Sequence, residues 1–159
     1  TGYNKITVQL GNEAEIKVNF SFETKLCKRD NDMYCLRRGN LTFALPIGER
    51  WEKHEFVRDG VERKYPYCDY EVYPTTPWNY AFADDVFETE FGKVGDVPFS
   101  PDGAPVKIKA KFVPIEWEIV DSICTQVPSS RVPTGKTVEL EMIPYGCTNL
   151  RMTEMPFIK

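Results

Sequence analysis

The chain has a single histidine, His54, among 159 residues. A His-rich metal centre is thereby excluded, and a Ser-His-Asp triad would have to rest on that one side chain. The five cysteines, Cys27, Cys35, Cys68, Cys124 and Cys147, form an odd set with no C-x-x-C pair. Neither a zinc ribbon nor a complete disulfide framework is expected from them. They read as small buried apolar side chains, and unpaired thiols lean towards a reducing, cytoplasmic interior. No apolar run approaches the roughly 20 residues a membrane-spanning helix needs. With 20 lysines and arginines against 24 acids, a net charge of −4, no stretch could neutralise a row of phosphates, so neither nucleic acid nor a membrane is an expected partner. The short basic spots, Lys25 to Arg29 and Arg37 with Arg38, read as solvated strand ends. The chain starts at Thr1 without a basic-then-apolar leader, and the expectation is a processed form or an excised piece of something longer.

What is present is period-two alternation. Ile6, Val8 and Leu10 alternate with polar residues. After Gly11-Asn12 the pattern resumes at Ile16, Val18, Phe20 and Phe22, separated by Lys17, Asn19 and Ser21. Each stretch predicts a strand with one wet face. Gly39-Asn40 between residues 33–37 and 41–47 predicts a hairpin. Residues 48–64, dense in charge with a turn at Asp59-Gly60, predict a loop or an exposed ribbon. From 65 to 73 an extended chain would put Tyr65, Tyr67 and Asp69 on one side and Cys68, Tyr70 and Val72 on the other. Residues 81–91 fit either a short helix or a strand. The proline-rich 96–105 predicts turns. Val106, Ile108, Ala110 and Phe112, separated by Lys107, Lys109 and Lys111, form the clearest amphipathic strand. Val138, Leu140 and Met142 predict another, closed by Pro144-Tyr145-Gly146. The segment with Leu150, Met152 and Met155 predicts an extended end. Seven to nine short strands with no definite helix predict one all-β domain over residues 1–159, an antiparallel β-sandwich of jelly-roll type.

Four strings carry a resemblance. RRGNLTFALPI (37–47), YEVYPTTPWNYAF (70–82), VPSSRV (127–132) after Trp117, and ELEMIPYGCTNLRMTEMP (139–156) resemble, in that order, the C-terminal β-rich region of the bacterial β-L-arabinofuranosidase family, glycoside hydrolase family 127. The likeness covers most of the chain from about residue 33. Relatives favour R-G-P-L where this chain has Arg38-Gly39-Asn40-Leu41, so a less rigid turn is expected here. The resemblance implies that the chemistry, a zinc-bound cysteine nucleophile with glutamate partners, belongs to a preceding helical barrel larger than this whole chain. No nucleophile, metal ligand or cofactor is carried over to this chain. The implied role is a non-catalytic accessory region of a hydrolase acting on arabinose-containing or related glycans. Its implied partners are that helical barrel, a second copy in a homodimer, and a glycan.

Candidate contacts follow from chemistry. Sugar C–H faces stack on aromatic rings while carboxylates hydrogen-bond hydroxyls. Trp51, Asp69, Tyr73, Trp78 and Tyr80 are therefore the candidates for a carbohydrate platform or a domain interface. Trp51, among charges, reads as the exposed tryptophan, and Trp51 or Trp78 would be the stacking residue of a free-standing carbohydrate-binding module. Trp117 reads as core, and for the aromatics at 65–80 packing into a core, or against the implied helical barrel, is the preferred reading over a sugar platform. Glycosidases need two carboxylates about 5 to 9.5 Å apart across a cleft, but 24 acids make nominal pairs unavoidable. Asp84-Asp85 reads as a solvated turn rather than a calcium site, and Cys147 as structural, with Arg151 anchoring the last strand through a carboxylate.

Overall fold

The computed structural model describes Tyr3, Lys5, Thr7, Gln9, Gly11 and residues 15–158. Its elements are almost all short antiparallel strands. In chain order they are β1 (Thr24–Lys28), β2 (Met33–Arg38), β3 (Leu41–Pro46), β4 (Glu49–His54), β5 (Phe56–Arg58), β6 (Val61–Arg63), β7 (Asp69–Pro74), β8 (Tyr80–Phe82), β9 (Glu88–Phe91), β10 (Val106–Pro114), β11 (Ile119–Val120), β12 (Ile123–Cys124), β13 (Val138–Pro144), β14 (Arg151–Met152) and β15 (Glu154–Pro156). The only helical turns among the described residues are short 3-10 turns at Asp30–Asp32 and Tyr145–Cys147. The fold is all-β and antiparallel, as the alternation predicts. The strand order by itself does not establish a jelly-roll winding.

Nine strands form one curled sheet in the order β1-β2-β3-β13-β10-β8, with β9 also on β10, β14 on β3 and β15 on β2. The hairpin at Gly39 is present, with Arg38 opposite Leu41. Gly39 has φ +56°, the left-handed conformation that favours glycine, and the Phe22 ring lies over it, 2.8 Å from where a Cβ would stand. Past Leu36 and Phe43 the two hairpin strands splay, and the C-terminal segment fills the opening. Arg151 and Met152 pair with Pro46 and Leu45 on β3, while Glu154, Met155 and Pro156 pair with Cys35, Tyr34 and Met33 on β2. Phe157 then bridges Phe82, and the Ile158 N–H donates to the Phe82 carbonyl at 3.0 Å. The pairing thus runs from β2 through β3, β13, β10 and β8 back to β2, so the curled sheet closes on its own tail.

Inside this closed sheet lie Leu36, Phe43, Phe82, Ile108, Phe112, Ile115, Met142 and Met155, all fully buried. On β10 the expected division holds: Ile108, Ala110 and Phe112 face in, while Lys107, Lys109 and Lys111 face out and pair with Glu141, Glu90 and Asp84. Residues 81–91 resolve as β8 and β9 rather than a helix. Here, ladder bonds to both ends of β10 satisfy the backbone. Asp84 is in a turn, accepting from the Val86 N–H at 3.2 Å.

Two expectations need correction. The segment Ile16 to Phe22, expected to be a strand, forms no ladder among the described residues, because β2 ends at Arg38, opposite Thr24. Ile6, Val8 and Leu10 of its companion lie outside the described residues. Arg151 holds no carboxylate: its guanidinium donates to the Thr148 and Asn149 carbonyls and lies 3.7 Å from the centre of the Tyr145 ring.

Candidate functional site

Leaving the closed sheet at Ile47, the chain forms a two-stranded ribbon in which β4 pairs with β7 from Glu49 opposite Pro74 to His54 opposite Asp69. The β5–β6 hairpin follows β4, turning at Asp59 (φ 52°) and Gly60 (φ 74°). This is the exposed ribbon that the charge density of 48–64 predicts. Its base is pinned by hydrogen bonds: Thr75 N–H to the Gly48 carbonyl (2.8 Å), and Leu150 N–H to the Glu49 carboxylate (2.6 Å).

Residues opposite one another share a face in an antiparallel ribbon, so the register sorts the side chains. One face carries Arg50, Glu52, His54, Asp69, Glu71 and Tyr73. Arg50 pairs with Glu52 and lies 4.6 Å from the centre of the Tyr73 ring, Tyr73 donates to Glu71 at 2.6 Å, and His54 meets the same carboxylate at 3.1 Å. The other face carries Trp51, Val72 and Tyr70. Here the Trp51 ring meets Tyr70 edge-on at 5.7 Å, and its indole N–H donates to Glu49 at 2.8 Å. Buried Cys68 lies beside Tyr70. A hydrogen bond to that sulfur and loss of water push the Tyr70 hydroxyl up to about 12.

Between β7 and the β11–β12 hairpin runs a groove of 310 Å³ lined by Glu71, Val72, Tyr73, Pro74, Ile119 and Ser122. It adjoins a smaller hollow of 180 Å³ reached by Trp78, Arg151 and Met152. Of the five candidates from sequence, Tyr73 lines the groove, Trp78 lines the hollow and Asp69 stands on the polar face of the ribbon. Trp51 is on the opposite face, 49% exposed. Tyr80 is buried, its ring 6.1 Å from that of Phe112, so it offers no face to a sugar. Trp78 packs against Trp117 at 6.0 Å and is half-buried. The structure therefore does not assemble the five into one platform. The sequence reading missed Ile119, Ser122 and Met152. The string IVDSIC held the signal, two apolar pairs around a polar two-residue turn, and Asp121 and Ser122 do take positive φ.

The chemistry available is that of contact rather than bond cleavage. Burial raises the thiols of Cys35, Cys124 and Cys147, and the Cys147 sulfur donates to the Pro98 carbonyl, so these groups are held protonated. The ligand atoms of Glu52, His54 and Glu71 lie within 4.8 Å of one another and are of types that bind divalent cations. In this ribbon Arg50 already occupies Glu52 and Tyr73 already occupies Glu71, which makes the cluster a surface charge network. A second opening of 450 Å³ beside β1 is lined by Glu23, Lys25, Asp85, Phe87 and Phe157.

The ribbon carboxylates give a pH prediction. Glu71 is held below the ordinary carboxylate value by the Tyr73 hydroxyl and then by the charge of His54. For Glu55 the causes are Lys53 and the Tyr65 N–H. For Glu49, loss of water works the other way but is outweighed by the Leu150 N–H, the Trp51 indole and Asn149. Folded values below unfolded ones mean that this stabilisation is complete above the unfolded pKa, about 4.3, and is lost as pH falls through the lower folded values. Trp51 fluorescence is expected to be constant from about pH 7 to 5 and to change below about pH 4 as the ribbon loosens. Tyr73→Phe should move the Glu71 titration, followed by carboxyl ¹³C NMR, back up. An unchanged Glu71 titration in that variant would contradict the assigned cause.

Comparison of the chain with models of protein families, with curated proteins and with solved structures finds no match. The resemblance noted from sequence rests on its four strings alone.

Proposed function

We propose that this chain is a non-catalytic β-rich accessory domain, similar to the C-terminal region of family 127 glycoside hydrolases, which works by docking onto a larger glycan-processing module. The observation that carries the reading is surface. The chain exposes 11778 Å², whereas a compact monomer of its size is expected to expose roughly 8,200 Å². Large apolar side chains outside the N-terminal arm contribute to this excess, among them Val57, Val86, Phe91 and Phe99. Exposed apolar side chains of this size are what a covering module buries where they lie together on one face. The four strings that carry the resemblance fall on β2–β3, β7–β8, the 127–132 loop and β13 to β15. Three of them supply strands of the closing circuit, so the likeness involves the framework rather than a reactive site.

With aryl arabinofuranosides the chain alone is expected to give no turnover. Robust zinc-dependent hydrolysis would sink the proposal. A second reading, a free-standing carbohydrate-binding module, is favoured by one observation, the exposure of the Trp51 ring. Titration with soluble arabinoglycans, following tryptophan fluorescence, separates the two. The docking reading predicts no saturable quenching, whereas saturable quenching that disappears in folded Trp51→Ala would establish the module.

A further inference from the structure

Residues 15–22 form an extended arm that runs into β1 but lies beyond the end of β2. The last ladder pair is Thr24 with Arg38; Phe22 then packs over the turn at Gly39 and its carbonyl accepts from the Arg38 guanidinium. Ile16, Val18, Phe20 and Phe22 are 60%, 63%, 76% and 49% exposed. The Phe20 and Phe22 rings stack in parallel, 6.1 Å apart and inclined by only 5°, so alternate residues project to one side as on a strand. The arm has the alternation of a strand, with one apolar face, and among the described residues it pairs with no other strand.

We propose that the arm pairs antiparallel with the same arm of a second copy of this chain. In the pairing, Lys17 faces Glu23 of the partner subunit, Val18 faces the partner's Phe22, and Phe20 faces the partner's Phe20 on a two-fold axis. Three considerations fix the occupant and the register. Side-chain direction alternates with period two, so only registers that keep like parity opposite can bring the two apolar sets onto one face. Among these, slipping by two residues in one direction sets Glu15 against the partner's Glu23, and in the other sets Lys17 against the partner's Lys25. The register between them joins opposite charges and opposes no like ones. Two-fold symmetry then repeats the Lys17 to Glu23 contact, so the arm is complementary to itself, as an isologous interface requires. The proposal does not depend on the docking function above, since it concerns the arm and names a different partner.

Light scattering on size-exclusion fractions over a range of concentrations tests it. Wild type is expected to dimerise. Lys17→Glu and Glu23→Lys, each creating two like-charge contacts, should raise the dimer Kd by roughly tenfold or more. The double variant, which exchanges the two charges, should restore dimerisation. As a check on register, Phe20→Cys should give a disulfide-linked dimer with a mild oxidant such as copper phenanthroline, beyond any formed by wild type under the same conditions. Circular dichroism confirms that each variant folds. A wild type that stays monomeric, a dimer indifferent to the single reversals, or a double variant as weak as the singles would each overturn the pairing and leave the accessory role untouched.

Discussion

Phe112→Ala is expected to remove about 3–5 kcal/mol of folding free energy. Phe112 sits on β10 where three strands meet, opposite Phe82 of β8 and Val138 of β13. Its ring is fully buried, 5.1 Å from the Phe82 ring and 6.1 Å from that of Tyr80. Truncation removes the transfer free energy of the ring and leaves a hole that surrounding strands, locked in register on both sides, cannot close. Against a total stability of about 5–15 kcal/mol this is a large fraction. Urea unfolding followed by tryptophan fluorescence should show a much lower midpoint with an unchanged slope. The neighbouring Lys111→Ala is the control. It breaks only an exposed pair with Asp84 at 3.2 Å and should cost no more than about 1 kcal/mol. Equal costs for the two variants would mean that β10 does not present its faces as described.

A still larger effect is expected from a chain ending at Leu150. Such a chain loses β14 and β15, and with them the wedge between β2 and β3 and the bridge to β8. Fully buried Met155 leaves the core, worth roughly 1.5–3 kcal/mol in transfer alone. The seam also opens backbone donors and acceptors on Met33 to Cys35, Leu45, Pro46 and Phe82 that have no other partner strand there, and each buried unpaired group costs about 1–3 kcal/mol. The sum approaches or exceeds the stability of a small domain. The shortened chain should show no cooperative unfolding transition, a weakened near-ultraviolet circular dichroism spectrum and binding of a hydrophobic dye such as ANS. A sharp transition close to that of the full chain would show that the closure is dispensable.

These two predictions bear on how much was legible in the sequence. The inward set Ile108, Ala110 and Phe112 was readable because alternation in a strand is local chemistry, and the Gly39 turn because few residues accept its backbone. Yet Ile16 to Phe22 alternates as cleanly as Val106 to Phe112. One became an exposed arm and the other the centre of the sheet, since pairing depends on what lies alongside, and the partners are β13, β9 and β8, distant in the chain. The aromatic stretch 65–80 divided for the same reason. Tyr73 stayed outside on the ribbon, whereas Tyr80 went into the core because β8 lies against the end of β10.

The sequence alone determined the strand character of the segments, the turns between many of them and which side of the central strands is apolar, because steric preference and the two-residue period act within a few residues of chain. Only the tertiary structure decided that the C-terminal segment closes the sheet, that Trp78 packs on Trp117 and that Trp51 stands exposed on a ribbon apart from them. Those outcomes depend on ladders and ring contacts between residues far apart in the chain, where the free energy of burial is shared among partners that no local pattern identifies.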